Sequence, residues 1–178
     1  MDLNVDIVKI SGLPPPSLLP WLSHQSAITT KLEEEIGPAR LEILQQQWLQ
    51  PNDWDRNTLQ IKSLWVMHRE IVMWFQREPC WYARTILPQT TYLHDPAFFQ
   101  RLRQESLGKL LFDNNRIKRF SLKVYALTPQ APEYLWLDET LHERANHLWA
   151  RLSQFNMDDQ FPLFLLEVFL PGLERLIL

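Results

Sequence analysis

Two solitary charges of opposite sign, each inside an apolar run of strand length, are the residues in this sequence best placed to do chemistry. Glu167 interrupts the run 162–171 (Pro-Leu-Phe-Leu-Leu-Glu-Val-Phe-Leu-Pro), and Arg84 interrupts 80–88 (Cys-Trp-Tyr-Ala-Arg-Thr-Ile-Leu-Pro). A strand that is apolar on both faces is buried on both, and a buried ion without a partner costs several kcal/mol even after relaxation. Each charge therefore demands a counter-charge or a polar ligand. Arg84 suits a planar carboxylate, which its fork can grip with two parallel hydrogen bonds; within its strand, Tyr82, Arg84 and Ile86 share a face. Glu167 has a structural alternative, a bond to Arg69, Arg84 or Arg151 inside the sheet. The pair Glu167 and Arg84 is thus either an internal ion pair or the two ends of a small polar pocket, and as candidate catalytic residues they take the second reading.

Other chemistries find less support. The single Cys80, beside Trp81, has no evident activating base and reads as an inert core thiol. The five histidines show no metal-ligand spacing, so no metal is expected. Four glycines assemble neither a dinucleotide fingerprint nor a phosphate loop. No serine sits in a nucleophile-elbow context. Net charge is −3 with Lys and Arg scattered, which disfavours nucleic acid. No segment reaches the roughly 18 apolar residues of a membrane helix, and the start Met-Asp-Leu-Asn-Val-Asp lacks the basic end of a secretory signal. These features predict a cytoplasmic protein without membrane insertion. At 178 residues with 46% apolar content, one domain over 1–178 is expected, 1–16 being a proline-containing leader.

The elements that must position Arg84 and Glu167 follow from periodicity and punctuation. A short helix is predicted after Ser17, with Pro20 in its first turn and Leu18, Leu19, Trp21 and Leu22 apolar. Ile28, Leu32 and Ile36 recur at helical spacing before a Gly37-Pro38 stop; Glu33 to Glu35 form its solvated face. Strands are predicted over 40–49 and 63–75 with a turn at 51–53, then a hairpin through Glu78-Pro79 into the Arg84 strand. Asp95-Pro96 opens a helix burying Phe98, Phe99 and Leu102, broken near Gly108 and continuing to Phe112. Residues 116–127 alternate, with Phe120, Leu122, Val124 and Ala126 on one face. An elaborated connection over 128–143 leads to a C-terminal hairpin, 148–157 and 163–170, turning at Asp158-Asp159-Gln160. The fold class is α+β, an antiparallel sheet of about six strands covered by helices.

The segments Trp81-Tyr82-Ala83-Arg84-Thr85-Ile86-Leu87-Pro88, Leu107-Gly108-Lys109-Leu110-Leu111-Phe112, Leu148-Trp149-Ala150-Arg151 and Leu166-Glu167-Val168-Phe169-Leu170-Pro171, in that order, resemble bacterial chorismate lyase over about 18–171. Ser26-Ala27-Ile28-Thr29 resembles that family's N-terminal active-site stretch. The resemblance implies a monomeric, cofactor-independent lyase that splits chorismate into 4-hydroxybenzoate and pyruvate, opening the aromatic branch of ubiquinone synthesis. It also implies a six-stranded antiparallel sheet with helical flaps, around Ile28 and over 96–112, closing on a buried ring. Substrate-binding positions carried over residue by residue fall on Ile28, Arg84, Leu107 (through its backbone N–H) and Glu167. Arg84 is then expected on the ring carboxylate and Glu167 on the C4 hydroxyl.

Three departures from the family pattern stand out. Ala83 replaces a common glycine, Leu166 replaces a common threonine, and the connection 128–143 is long. The alternative function is a non-catalytic small-molecule-binding module, since effector domains of some transcription regulators resemble the lyase fold. Those normally follow a DNA-binding winged helix, and the short proline-containing leader before the first helix counts against that use.

Overall fold

A computed structural model describes residues 5–8 and 12–178. Residues 1–4 and 9–11, part of the expected leader, lie outside the described residues. The rest of that leader is not all lead-in: Val5–Val8 forms strand β1, which pairs in parallel with 122–125 at a sheet edge.

Six longer strands follow: β2 (Ala39–Leu49), β3 (Val66–Phe75), β4 (Glu78–Pro88), β5 (Ile117–Leu127), β6 (Leu148–Met157) and β7 (Phe161–Phe169). They form one sheet in the order β1-β5-β6-β7-β4-β3-β2, antiparallel throughout except at β1. The last hairpin turns on Asp158 and Asp159, both with positive φ (49° and 59°). That backbone twist matches the right-handed twist of the flanking strands, and aspartate, whose short side chain can bond nearby backbone, tolerates it better than most residues.

β7 lies at the centre of the sheet, and its sequence says why. Leu163, Leu165 and Phe169 enter one core with Trp81, Ala83, Trp149 and Phe155; Phe164, Leu166 and Val168 enter a second with Tyr82, Ile86, Ala150 and Leu152. A strand buried on both faces reads as a continuous apolar run. The first core is closed by helices α1 (Leu19–Leu22), α2 (Ile28–Glu35), α5 (Pro96–Gln100), a single 3₁₀ turn at Arg101–Arg103, and α6 (Leu107–Phe112). The second is closed by the segment after α3 (Asp53–Thr58) and by α7 (Pro132–Leu135) and α8 (Glu139–His142), which occupy the long 128–143 connection.

Four local expectations are corrected. The turn expected at 51–53 is the start of α3, where Asn52 Oδ1 accepts from the Asp55 N–H and Asp55 Oδ2 accepts from the Asn52 N–H, a capping box. Phe120 leaves the face of Leu122 because the β5–β6 register shifts between Arg119 and Ser121, and its side chain is 69% exposed. Gly108 does not break a helix; it lies in the first turn of α6, capped by Ser106, where a Cβ would meet the Ala27 Cβ at 3.4 Å. Helices α4 (Gln89–His94) and α9 (Pro171–Ile177) went unforeseen, although Pro171 at the start of α9 is a recognised helix-opening signal.

α9 seats tightly on β4. A Cβ added to Gly172 would stand 2.3 Å from the Pro79 carbonyl oxygen, and that atom is backbone, fixed by the sheet. Gly172→Ala is therefore expected to lower unfolding free energy by about 1–3 kcal/mol through overpacking, read as a lower denaturation midpoint in urea.

Candidate active site

The register between β4 and β7 decides which charges meet. Glu167 pairs with Ala83, and Arg84 pairs with Leu166. Since side chains alternate across a strand, Arg84 and Glu167 point to opposite faces of the sheet. This corrects the pairing expected from the sequence. Arg84 lies in the second core, where its Nη2 is 2.7 Å from Glu70 Oε1, its Nε donates to the Tyr82 hydroxyl at 3.1 Å, and its guanidinium lies 3.5 Å from the Trp136 ring centroid. Gln45 completes the set by donating to Glu70 at 2.6 Å. Arg84 is thus spoken for, away from Glu167. Burial pushes the Tyr82 hydroxyl far above its usual range.

Ile28, Leu107 and Glu167 do line one narrow cavity on the opposite face, together with Thr29, Ala83, Leu165 and an arginine not assigned to it from the sequence, Arg69. Arg69 is 1% exposed. Its Nη2 donates to the Glu105 carbonyl at 2.9 Å, while its Nε is buried without a partner among the described residues. Burial pulls its pKa down to about 10, which still leaves it a cation at neutral pH. β3 pairs Arg69 with Thr85, one step along from the pair Glu70–Arg84, so the consecutive charges Arg69 and Glu70 serve opposite faces. The run His68-Arg69-Glu70 inside a strand whose other residues are apolar was the signal available in the sequence.

Glu167 is 5% exposed and is held by Arg151, one of its three structural alternatives. Arg151 Nε lies 2.6 Å from Glu167 Oε2, and its Nη1 donates to the carbonyls of Trp21 and His24, both at 3.0 Å. One guanidinium thereby joins the acid to the connection between α1 and α2. Here the sequence named the partner among three candidates, and the structure chose it.

Two helix starts close the cavity. Ile28 and Leu107 are the first residues of α2 and α6, where backbone N–H groups precede any intrahelical acceptor and face outward along the helix axis. The helices are tied by Lys109 Nζ, 2.7 Å from Glu33 Oε2. Glu33, expected only on a solvated face, makes this tie. A second hollow of about 240 Å³ lies just outside, sharing Thr29 and Ser106 with the inner cavity. The inner void, about 20 Å³, holds roughly one water, too little for a six-membered ring. Among the described residues no three His, Cys, Asp or Glu side chains gather where a metal ion would bind.

The sequence model of the family described as chorismate lyase matches residues 8–175. The chain belongs to the chorismate lyase family. Similar proteins include a probable chorismate pyruvate-lyase of Halorhodospira halophila, 29% identical over 93% of this chain and 87% of that protein. Another, from Shewanella sp., is 30% identical over 95% of this chain and 88% of that protein. A chorismate pyruvate-lyase of Pectobacterium carotovorum is 26% identical over 88% and 81%. Among solved structures, a GntR-family transcriptional regulator from Bacillus cereus aligns with TM-score 0.55 at 14% identity over 75% of this chain and 92% of that one. The effector domain of PhnF from Mycobacterium smegmatis also aligns with TM-score 0.55 at 14% identity, over 82% and 89%. At such identity these two structures establish a shared fold. No described helix is long and apolar enough to cross a membrane.

Arg84 belongs to a satisfied network, and removing it strands Glu70 in the second core. Arg84→Ala is accordingly expected to destabilise the fold by about 3–5 kcal/mol, the usual cost of breaking a buried pair from one side. Urea denaturation measures it; unchanged stability would show that Glu70 finds water instead.

Proposed function

We propose that this chain converts chorismate to 4-hydroxybenzoate and pyruvate without metal or organic cofactor. The observation that carries this reading is the cavity with a guanidinium, Arg69, and a carboxylate, Glu167, in its lining under two helix starts. Chorismate is a small dianion with a ring carboxylate at C1 and a hydroxyl at C4, opposite each other across the ring. Arg69 takes the ring carboxylate, the role the sequence had suggested for Arg84. The Leu107 N–H adds a hydrogen bond, Ile28 supplies apolar lid contact, and Glu167 engages the C4 hydroxyl that becomes the phenol. Arg151 supports that last role by keeping the Glu167 side chain oriented and its charge compensated.

The reaction breaks the C3–O ether bond and the C4–H bond, and aromatisation drives it. In one route the enolpyruvyl methylene collects the C4 hydrogen through a six-membered arrangement, so that the enzyme's task is to hold this conformer away from water. In the other, Glu167 acts as the base at C4. Both routes need the site closed. The product enters the aromatic-ring branch of ubiquinone synthesis, and the protein works as a cytoplasmic monomer.

The test is incubation of purified protein with chorismate and a chelator, following pyruvate and 4-hydroxybenzoate together. Turnover is expected, nearly abolished in Glu167→Gln and reduced roughly 100-fold or more in Arg69→Ala, since the latter loses a charge-assisted anchor inside a dry site. Chorismate deuterated at C4 separates the routes: label retained in the pyruvate methyl group marks the intramolecular one. Binding of either acid with no pyruvate released would make the chain a non-catalytic binding module instead.

A further inference from the structure

Chorismate carries a second carboxylate, on the enolpyruvyl group, and neither Arg69 nor Glu167 is placed to receive it. We infer that Arg119 is the residue that grips this side-chain carboxylate, through the Nε and Nη2 edge of its guanidinium. The assignment rests on the chorismate reading above and deepens it.

Three observations on the site face support it. First, Arg119 has a fork left open. Its Nη1 donates to the Gln25 carbonyl at 3.0 Å, while Nε and Nη2 are buried and have no partner among the described residues. Those two nitrogens form one edge of the guanidinium, the edge that matches a carboxylate with two parallel bonds. Buried donors without acceptors are uncommon and call for an explanation.

Second, its position is at the Glu167 end of the site. Arg119 bonds the carbonyl of Gln25 and Arg151 bonds that of the preceding residue, His24, so both guanidiniums reach the same short stretch of the α1–α2 connection. Arg151 in turn touches Glu167. In chorismate the enolpyruvyl ether leaves C3, next to the C4 hydroxyl assigned to Glu167, and therefore projects at that same end. Arg119 is also pre-oriented, its guanidinium carbon 5.0 Å from the Phe112 ring centroid and 5.1 Å from that of Phe155. A planar cation braced by two rings loses little entropy on binding.

Third, the charges balance only with a dianion present. On this face, among the described residues, the guanidiniums of Arg69, Arg119 and Arg151 stand against one buried carboxylate, Glu167, a surplus of two positive charges. Glu167 neutralises Arg151, which leaves one cation for each carboxylate of the substrate. Burial, followed by repulsion from Arg151, pulls the Arg119 pKa down to about 10, as expected of a cation awaiting its anion. By contrast, the buried Arg84 on the other face already has its own carboxylate.

The product distinguishes this role from a structural one, because 4-hydroxybenzoate keeps the ring carboxylate and has lost the enolpyruvyl group. Pyruvate release from chorismate and equilibrium binding of 4-hydroxybenzoate are measured for wild type, Arg119→Gln and Arg119→Lys, with thermal melts alongside. Arg119→Gln is expected to lower kcat/KM for chorismate roughly 10- to 100-fold, the worth of a charged hydrogen bond, and to leave 4-hydroxybenzoate affinity unchanged. Arg119→Lys, which keeps the charge and loses the fork, should fall between, and it carries the comparison if the glutamine variant melts early. Unchanged kcat/KM in both variants, or equal losses of chorismate turnover and 4-hydroxybenzoate affinity, would overturn the assignment. A wild type that turns over chorismate while both variants match it sinks the role of Arg119 alone; a wild type that releases no pyruvate sinks the underlying reading.

Discussion

The contact between Arg151 and Glu167 organises this molecule more than any other. Both groups are almost fully buried, and at 2.6 Å they form a charge-assisted hydrogen bond in low dielectric. Taking two ions out of water is expensive, and the attraction between them compensates only when the remaining donors are satisfied as well. Arg151 meets that condition by donating to carbonyls of the α1–α2 connection. The ion pair therefore does two jobs at once: it keeps an acid in the interior of the sheet and pins the segment that leads into α2. Glu167 and the lid over it are held by one side chain.

The sheet separates two buried charge systems that the chain interleaves residue by residue. On one face Arg69 and Glu167 line the cavity and Arg151 holds Glu167; on the other Arg84, Glu70 and Tyr82 form a closed network under Trp136. Consecutive residues supply both, as with Arg69 and Glu70 in β3. The closed network spends its charges on each other, which suits structure. The cavity face has cations to spare, which suits the recognition of an anion. Cys80, whose thiol is pushed up to about 11 by burial, contributes packing to the cavity-side core.

Much of this was legible in order along the chain. The α2 helix with its Gly37 stop, the six antiparallel strands, the Asp95-Pro96 helix start and the final hairpin each have a local cause, in periodicity, capping or turn chemistry, and local causes can be read locally. The misses have the same character in reverse. The bulge that turns Phe120 outward arises from pairing with β6, and the close approach of Gly108 to Ala27 comes from helix-to-helix packing. The long 128–143 connection read as irregular because its two short helices have few residues to show a period; their role as a cover for Arg84 and the second core is a matter of contact.

By itself the sequence determined that one carboxylate, Glu167, and one arginine, Arg84, would be buried in a two-faced antiparallel sheet covered by helices; the start of a separate helix at Leu107 came with the structure. It could not determine which arginine stands with Glu167 on the cavity face. Side chains alternate with a period of two, so a single-residue change of register exchanges Arg84 for its neighbour's face. That register joins strands some eighty residues apart, and it is settled by how two apolar faces pack at once. Tertiary structure chose Arg69 to line the cavity, Arg151 to hold the acid, and Glu70 to occupy Arg84.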